Sequence, residues 1–477
     1  MSEEKGNRDQ KEVSGKQGKR GIDRRDLLQG VATLPVLGLF GLAARQQKRY
    51  EDAQKAALSG AAQPENLPVV NVAQIGVGAQ GEVLRDAMLK IPNLKIRAVC
   101  DIWTEYSLKR TVGTYQRAGH DVNGYEDYRE MLDKEKELDA VVIATPDFWH
   151  AEHAIACLQA GKHVYCEKEM SNTLESARKM VLAARETGKL LQIGHQRRSN
   201  PRYLYCYNKI IKEAGLLGRM VTANGQWNRA VQESLGFAKR YEIPESKLKQ
   251  FGYKNMEQFR NWRWFKGLGG GPIVDLGSHQ IDIFAWFLEA LPAAVIASGG
   301  NDYYPTDSHE WYDTAMVIYE FKTEKGPVRA YYQTQTTNSS LGYFEKFMGD
   351  QGTLVLSESN ANSVNAVYRE SAAPDWDDWV QKGLVTAPKI VETTDETAAL
   401  LDVRESISPD EHKIPIIFTD PYHKPHLQNF FNAVRGLEKL NCPAEIGYET
   451  AVMVLKVNEA IQAGRRLEFS PDEFKVS

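Results

Sequence analysis

Between Val69 and Gly194, strand-length apolar runs alternate with helix-length stretches, and this alternation narrows the fold more than any other feature of the chain. Strands are expected over Val69–Gly76, Leu94–Asp101, Ala140–Thr145, His163–Cys166 and Leu190–Gly194, with helices between them at Asp127–Asp133, Ala151–Ala160 and Leu174–Thr187. Strands that each return through a helix lie parallel, in a sheet covered on both faces. Ligands of such sheets collect beyond the C-terminal strand ends. The loops after Gly76, Asp101, Thr145 and Cys166 are therefore the places to look for chemistry.

The first loop reads Gln74-Ile75-Gly76-Val77-Gly78-Ala79-Gln80-Gly81 and opens a helix that begins near Glu82. Gly76, Gly78 and Gly81 have the spacing of a dinucleotide fingerprint. The first permits a tight turn, the second admits a pyrophosphate against backbone, and the third lets helix pack on strand. The helix N-terminus, with free N–H groups, favours the anion. Asp101 ends the second strand, where a carboxylate accepts bonds from ribose hydroxyls and repels a 2′-phosphate. That favours NAD over NADP. The competing reading is that Asp101 merely caps the next helix.

From about Arg197 the pattern changes. A helix at Arg202–Ala214 is followed by strands at Met220–Trp227, Ala294–Asn301, Thr314–Phe321, Val328–Thr336 and Thr353–Ser357, without regular helices between them. Helices close the chain near Pro425–Arg435 and Thr450–Gly464. The expected fold class is an α/β Rossmann domain (68–196) plus an α+β C-terminal domain (197–477) with a large, mainly antiparallel open sheet. No internal repeat is present.

The front of the chain has another character. Asp23-Arg24-Arg25-Asp26 precedes a short, glycine-containing apolar run, Val31–Ala44, which reads as a twin-arginine export signal over residues 1–44. The competing reading is a basic turn before a buried helix. Residues 45–67, rich in Ala, Gln and Lys, read as a linker or a mobile helix. The cleavage site is not placed, and an uncleaved anchor stays open. A periplasmic or otherwise exported location is expected, with the export machinery as a partner. A protein that folds before export can carry a nucleotide with it, so a tightly held, recycled cofactor is expected too.

The 477 residues are 42% hydrophobic and 26% charged, in keeping with a soluble globular protein. The first 44 residues hold eight Lys/Arg and six Asp/Glu, a surplus of +2, so the rest carries −6 of the total −4. Nothing points to nucleic acid. Five cysteines, none at metal-site spacing, predict no metal; Cys100, Cys157 and Cys166 read as core thiols.

Three segments carry candidate chemistry. Cys166-Glu167-Lys168 places Lys168 at a strand end, near a nicotinamide, where it can hydrogen-bond a substrate hydroxyl; a surface lysine is the plainer alternative. In Gly271-Pro272-Ile273-Val274-Asp275-Leu276-Gly277-Ser278-His279, Pro272 suits a first helical turn. Asp275 and His279 are then one turn apart, so the acid can orient an imidazole suited to proton removal. A buried structural histidine is the alternative. Thr145-Pro146-Asp147-Phe148-Trp149-His150 follows another strand end and reads either as a cofactor loop or as a helix cap.

These motifs, taken together, resemble the Gfo/Idh/MocA oxidoreductases, the group of glucose–fructose oxidoreductase and inositol dehydrogenase. The likeness runs in motif order over about residues 69–470. It includes the glycine loop, Asp101, Tyr125-Glu126-Asp127-Tyr128, Thr145-Pro146, Cys166-Glu167-Lys168, Gly194-His195-Gln196-Arg197-Arg198, Asp275–Asp282 and Asp350-Gln351-Gly352-Thr353-Leu354. The resemblance implies that Lys168 bridges cofactor and substrate, as the lysine of the family's Glu-Lys-Pro motif does. It implies that Asp275 binds substrate and that His279 is the acid/base. Glu169 stands where the family has proline, which puts the shape of that loop in doubt. The resemblance also implies cofactor contacts by Gln80, Thr145, Pro146, His150 and Glu167, and a sugar contact by Arg198. Glu233–Arg263 looks like an insertion shaping the pocket, with Trp262 and Trp264 as candidates to stack on a pyranose face and core packing the favoured alternative for at least one of them.

The expected function is NAD-dependent oxidation of a sugar or glycoside hydroxyl. Two alternatives stay open. One is a glycosidase using NAD transiently through a keto-sugar; the other is a non-catalytic sugar- or nucleotide-binding protein. A homo-oligomer is expected by analogy with the family's sheet-face dimers.

Overall fold

A computed structural model describes residues 67–359, 365–388 and 409–477, all within one compact unit. The expected export signal and nearly all of the linker lie outside the described residues. Among the described residues, no helix is long and apolar enough to cross a membrane.

The first sheet has six strands, all parallel: β1 (Val70–Ile75), β2 (Leu94–Cys100), β3 (Asn123–Tyr125), β4 (Ala140–Ile143), β5 (His163–Cys166) and β6 (Leu191–Ile193). Their order is β3-β2-β1-β4-β5-β6, so the chain reverses direction across the sheet between β1 and β4. That switch point opens the crevice a dinucleotide needs. Strands buried on both faces read as unbroken apolar runs; all four residues of β4 are buried. The short β3 has no such run and is not visible in the sequence pattern.

The second sheet has nine strands. Its central strands are β7 (Met220–Asn228), β8 (Pro292–Gly300), β9 (Thr314–Thr323), β10 (Gly326–Gln335), β11 (Tyr343–Gly349) and β12 (Gly352–Leu356). Only β7 and β10 pair in parallel; every other pairing is antiparallel. The strand β11 was not expected, because Glu345 and Lys346 interrupt its apolar pattern. Glu345 is nevertheless fully buried, held by Arg197 and by the Tyr203 hydroxyl at 2.7 Å.

Two findings change the expected organisation. The helix Lys424–Val434, expected in the second domain, packs on the first sheet. Its Leu427, Phe430 and Phe431 join a core with Val72, Ala140, Val142 and Tyr165. The nucleotide domain is therefore completed by sequence from near the far end of the chain. The stretch 229–271, between β7 and the helical turn Pro272–Asp275, builds a small core of its own. Ile243, Leu248, Tyr253, Met256, Phe265 and Leu268 pack with Trp103 of the first domain. The Trp103 indole donates to Tyr241 O at 2.5 Å, the Trp149 indole donates to Phe251 O at 3.2 Å, and Lys247 pairs with Glu126 at 2.7 Å.

Candidate active site

Each fingerprint glycine has a separate steric reason. Gly76 has φ +83°, and a Cβ there would lie 2.7 Å from the Ala144 carbonyl carbon. A Cβ on Gly81 would lie 2.3 Å from Gly76 O, so helix Ala79–Met88 can sit on the loop only without one. At Gly78 a Cβ would meet nothing within 4 Å, because this position faces the open crevice. No side chain caps the helix there, which leaves its first N–H groups for a phosphate.

The crevice is lined by Gly76, Gly78 and Gln80 of that loop, by Asp101, by Thr145 and Pro146 after β4, and by Glu167 and Lys168 after β5. Asp101 faces the crevice and also does local work. Its Oδ2 accepts from Val77 N at 2.8 Å and its Oδ1 from Trp103 N at 2.7 Å. Burial raises its pKa, and those two bonds oppose the rise. The open loop, the free helix end and the acid beside them fit a dinucleotide.

The expected cofactor contact His150 is placed differently. It is buried and does not line the crevice. Its Nδ1 lies 2.7 Å from Glu169 O and its Nε2 2.7 Å from Thr145 O, so it ties together the two loops that do. Burial drives its pKa down to about 4 against the pull of both carbonyls. The ring is thus neutral and donates to one carbonyl at a time.

A second cavity, of about 740 Å³, opens beside the crevice, and Gln80, Glu167 and Lys168 line both. Lys168 Nζ donates to Asp275 O at 2.5 Å and lies 3.3 Å from Asp275 Oδ1; the same oxygen accepts from Arg263 Nε at 3.1 Å. Burial pushes the Asp275 carboxyl up, but Lys168, Arg263 and Arg229 outweigh it and hold it well below the usual carboxylate range. The helix expected to carry Asp275 and His279 is broken at Leu276: one turn spans Pro272–Asp275, and a new helix starts at Gly277. Asp275 consequently orients Lys168 and Arg263, and its hydrogen bonds do not include His279.

His279 lines the larger cavity. Its Nδ1 is buried without a partner, and Trp227 lies against the ring with centroids 5.4 Å apart. Burial, with Lys168 and Arg197 nearby, holds its pKa well below the usual imidazole value of 6.5, so the ring is neutral at pH 7. Trp264 lines this cavity and packs on His309, whereas Trp262 faces the crevice under the Arg263 guanidinium. Arg198 lines neither. It is locked to buried Asp282 by Nε bonds of 2.9 and 3.0 Å and an Nη2 bond of 2.7 Å, so the residue expected to touch a sugar is turned to that acid and away from both cavities.

Several lining residues were not singled out in the sequence: Trp227, Arg229, Arg263, Tyr343 and His423. His423 precedes the returning helix. Its Nε2 lies 3.2 Å from Gln80 Nε2 and its Nδ1 4.0 Å from Glu167 Oε1. The run Asp420-Pro421-Tyr422-His423-Lys424-Pro425 was the available signal, legible only once the following helix is known to return. The described residues contain no cluster of His, Cys, Asp or Glu able to hold a metal, and all five cysteines are buried and free.

Comparison with known proteins agrees with this geometry. Residues 70–195 match the model of the oxidoreductase family with an NAD-binding Rossmann fold, and residues 209–355 match that of the GFO/IDH/MocA C-terminal domain. An inositol 2-dehydrogenase of Rubrobacter xylanophilus is 25% identical over 350 residues, covering 72% of this chain and 86% of that protein. A scyllo-inositol 2-dehydrogenase (NADP(+)) of Bacillus subtilis is 29% identical, but the match covers 49% of this chain and 55% of that one. The fold is shared with the WlbA dehydrogenase of Bordetella pertussis, solved with NADH and UDP-GlcNAcA (TM-score 0.61, 18% identity, 86% of this chain and 100% of that chain). It is shared as well with a levoglucosan dehydrogenase solved with NADH (TM-score 0.60, 19% identity, 84% and 99%). From the glycine loop to the second sheet, the chain belongs to the Gfo/Idh/MocA oxidoreductase family.

Proposed function

We propose that this protein is an exported oxidoreductase that oxidises a sugar or glycoside hydroxyl with NAD, which it holds tightly and recycles in place. The carrying observation is Lys168, which stands where the crevice meets the larger cavity, pinned by Asp275 and sharing that cavity with neutral His279. The glycine loop, Asp101, Thr145, Pro146 and Glu167 would hold the dinucleotide. When bound, its nicotinamide supplies the redox step by accepting the carbinol hydrogen as hydride. His279 takes the hydroxyl proton. The Lys168 ammonium donates to the same oxygen and stabilises its growing negative charge. Asp275, ionised throughout, keeps that ammonium aimed.

Cofactor retention is supported by the stretch 229–271, whose Leu235, Phe251, Tyr253 and Phe259 line the crevice from the side opposite the sheet. The test is to purify the protein without added nucleotide, denature it and identify what is released. Near-stoichiometric NAD(H) is expected; an empty protein that readily binds added NAD would sink the recycling idea. Export rests on Arg24 and Arg25, and the double change Arg24→Lys, Arg25→Lys should trap a reporter fused to residues 1–44 in the cytoplasm.

A second reading, redox-neutral glycoside cleavage through a keto-sugar, is favoured by His423. Burial lowers its pKa to about 4, so a second neutral imidazole faces the same cavity. After oxidation, hydrogens beside the new carbonyl become acidic, and cleavage needs a base for one of them. Release of free sugar without net NADH would select this reading. The retained pair of Lys168 and His279 speaks against a protein that only binds.

A further inference from the structure

The larger cavity is lined by as many acidic as cationic side chains, but they are paired unevenly. Four cationic side chains line it: Lys168, Arg229, Arg260 and Arg263. Lys168 and Arg263 share Asp275, and Arg260 donates to Gly236 O at 3.3 Å. Of the acids lining it besides Asp275, Glu167 accepts from Gln80 and Tyr165 at 3.2 Å, Glu358 accepts from Gln196 at 3.2 Å and lies 3.6 Å from Arg197, and Glu233 is an exposed residue at its edge. Among the described residues, no carboxylate or carbonyl is hydrogen-bonded to the Arg229 guanidinium, although its charge helps keep Asp275 ionised from farther away. What the guanidinium has is the face of Trp227, with 5.3 Å from its Cζ to the ring centroid.

Trp227 is itself fixed. It stacks on Tyr343 with centroids 4.4 Å apart and planes 24° apart, and its other close ring neighbour is His279 at 5.4 Å. Arg229 follows directly on β7 and is anchored through its backbone, Arg229 N donating to Gln335 O at 2.9 Å. The guanidinium is therefore held in place beside an aromatic platform that also touches the proposed base. Trp227 thereby sets the guanidinium and the imidazole side by side on one wall of the cavity.

We propose that the larger cavity selects acidic sugars, with Arg229 binding the substrate's anionic substituent while the reacting hydroxyl meets His279. A planar, five-donor guanidinium pairs with a carboxylate through two parallel bonds, and stacking on an indole removes much of its freedom before the substrate arrives. Sulfate esters share the chemistry, so the two sources are separated by experiment. The inference rests on the site read above as a sugar-oxidising centre.

The test uses the full-length protein with its nucleotide bound and three probes: methyl β-D-glucuronide, D-glucose 6-sulfate and methyl β-D-glucoside. Binding is read by calorimetry and oxidation by NADH absorbance, in wild type, Arg229→Gln and Arg229→Lys. The glucuronide should bind about tenfold more tightly than the glucoside, the size of one charge-assisted contact. Arg229→Gln should bring that ratio close to one, whereas Arg229→Lys should keep part of it. If the sulfate alone is preferred, the site takes a sulfated rather than a carboxylated sugar. Equal binding of acidic and neutral probes overturns the proposal, as does a preference that survives Arg229→Gln. Preferential binding of an acidic probe without any NADH leaves the anion site standing and counts instead against the oxidising role.

Discussion

His279 and Lys168 work by opposite devices. Burial keeps the imidazole neutral, and ion pairing keeps the ammonium in place. Removing either, as Lys168→Ala or His279→Ala, should lower hydride transfer by about 100-fold or more while bound nucleotide stays, checked by single-turnover kinetics and nucleotide analysis. Because burial lowers the His279 pKa, its basic form persists as pH falls. The acid limb of kcat/KM should accordingly lie below the ordinary imidazole value of 6.5, and a limb at or above that value would contradict the assignment. Glu169 gives a separate pH signature. Its Oε1 accepts from Met170 N at 2.7 Å, its Oε2 has no partner, and burial raises its pKa from 4.5 to about 8. Between those values only the folded chain keeps the proton, so stability falls as pH rises through that window. Glu169→Gln mimics the protonated acid, and its Tm advantage over wild type should appear at pH 8 and vanish at pH 4. The residues at strand ends were legible because glycine spacing and strand termini report on local geometry. Arg229, Tyr343 and His423 were not, because each is brought to the cavity by pairings between distant parts of the chain.

At the scale of elements, the parallel strands showed in the sequence because burial on both faces writes an uninterrupted apolar run. The break at Leu276 was hidden, since apolar periodicity continues across it. Glu233–Arg263 was legible as an insertion, but not as part of a cover, 229–271, with its own core. Its grip on the first domain centres on Trp103, 4% exposed and bonded to Tyr241 O. Trp103→Ala should accelerate NAD release about tenfold, measured by exchange against labelled nucleotide, because the cover opens more often when that anchor is lost. Phe430→Ala, on the returning helix, should cost about 3–5 kcal/mol in chemical denaturation, as expected for a fully buried aromatic in a shared core.

For the whole molecule, the outer face of the nine-stranded sheet carries exposed apolar side chains among the described residues. Ile296, Met316 and Ile318 project from β8 and β9 with exposures of 44%, 48% and 41%, an apolar row on adjacent strands. The proposed homo-oligomer would cover this face. Ile318→Glu should then shift the light-scattering mass to that of a single chain of 53.7 kDa without loss of the folded state.

The returning helix has a further meaning for how the protein is made. As the chain leaves the ribosome, the six strands of the first sheet emerge early. The face formed by Val72, Ala140, Val142 and Tyr165 then waits, uncovered, until Leu427, Phe430 and Phe431 arrive. A nucleotide domain with its full core therefore requires translation through Lys424–Val434, long after its last strand, β6, has been made.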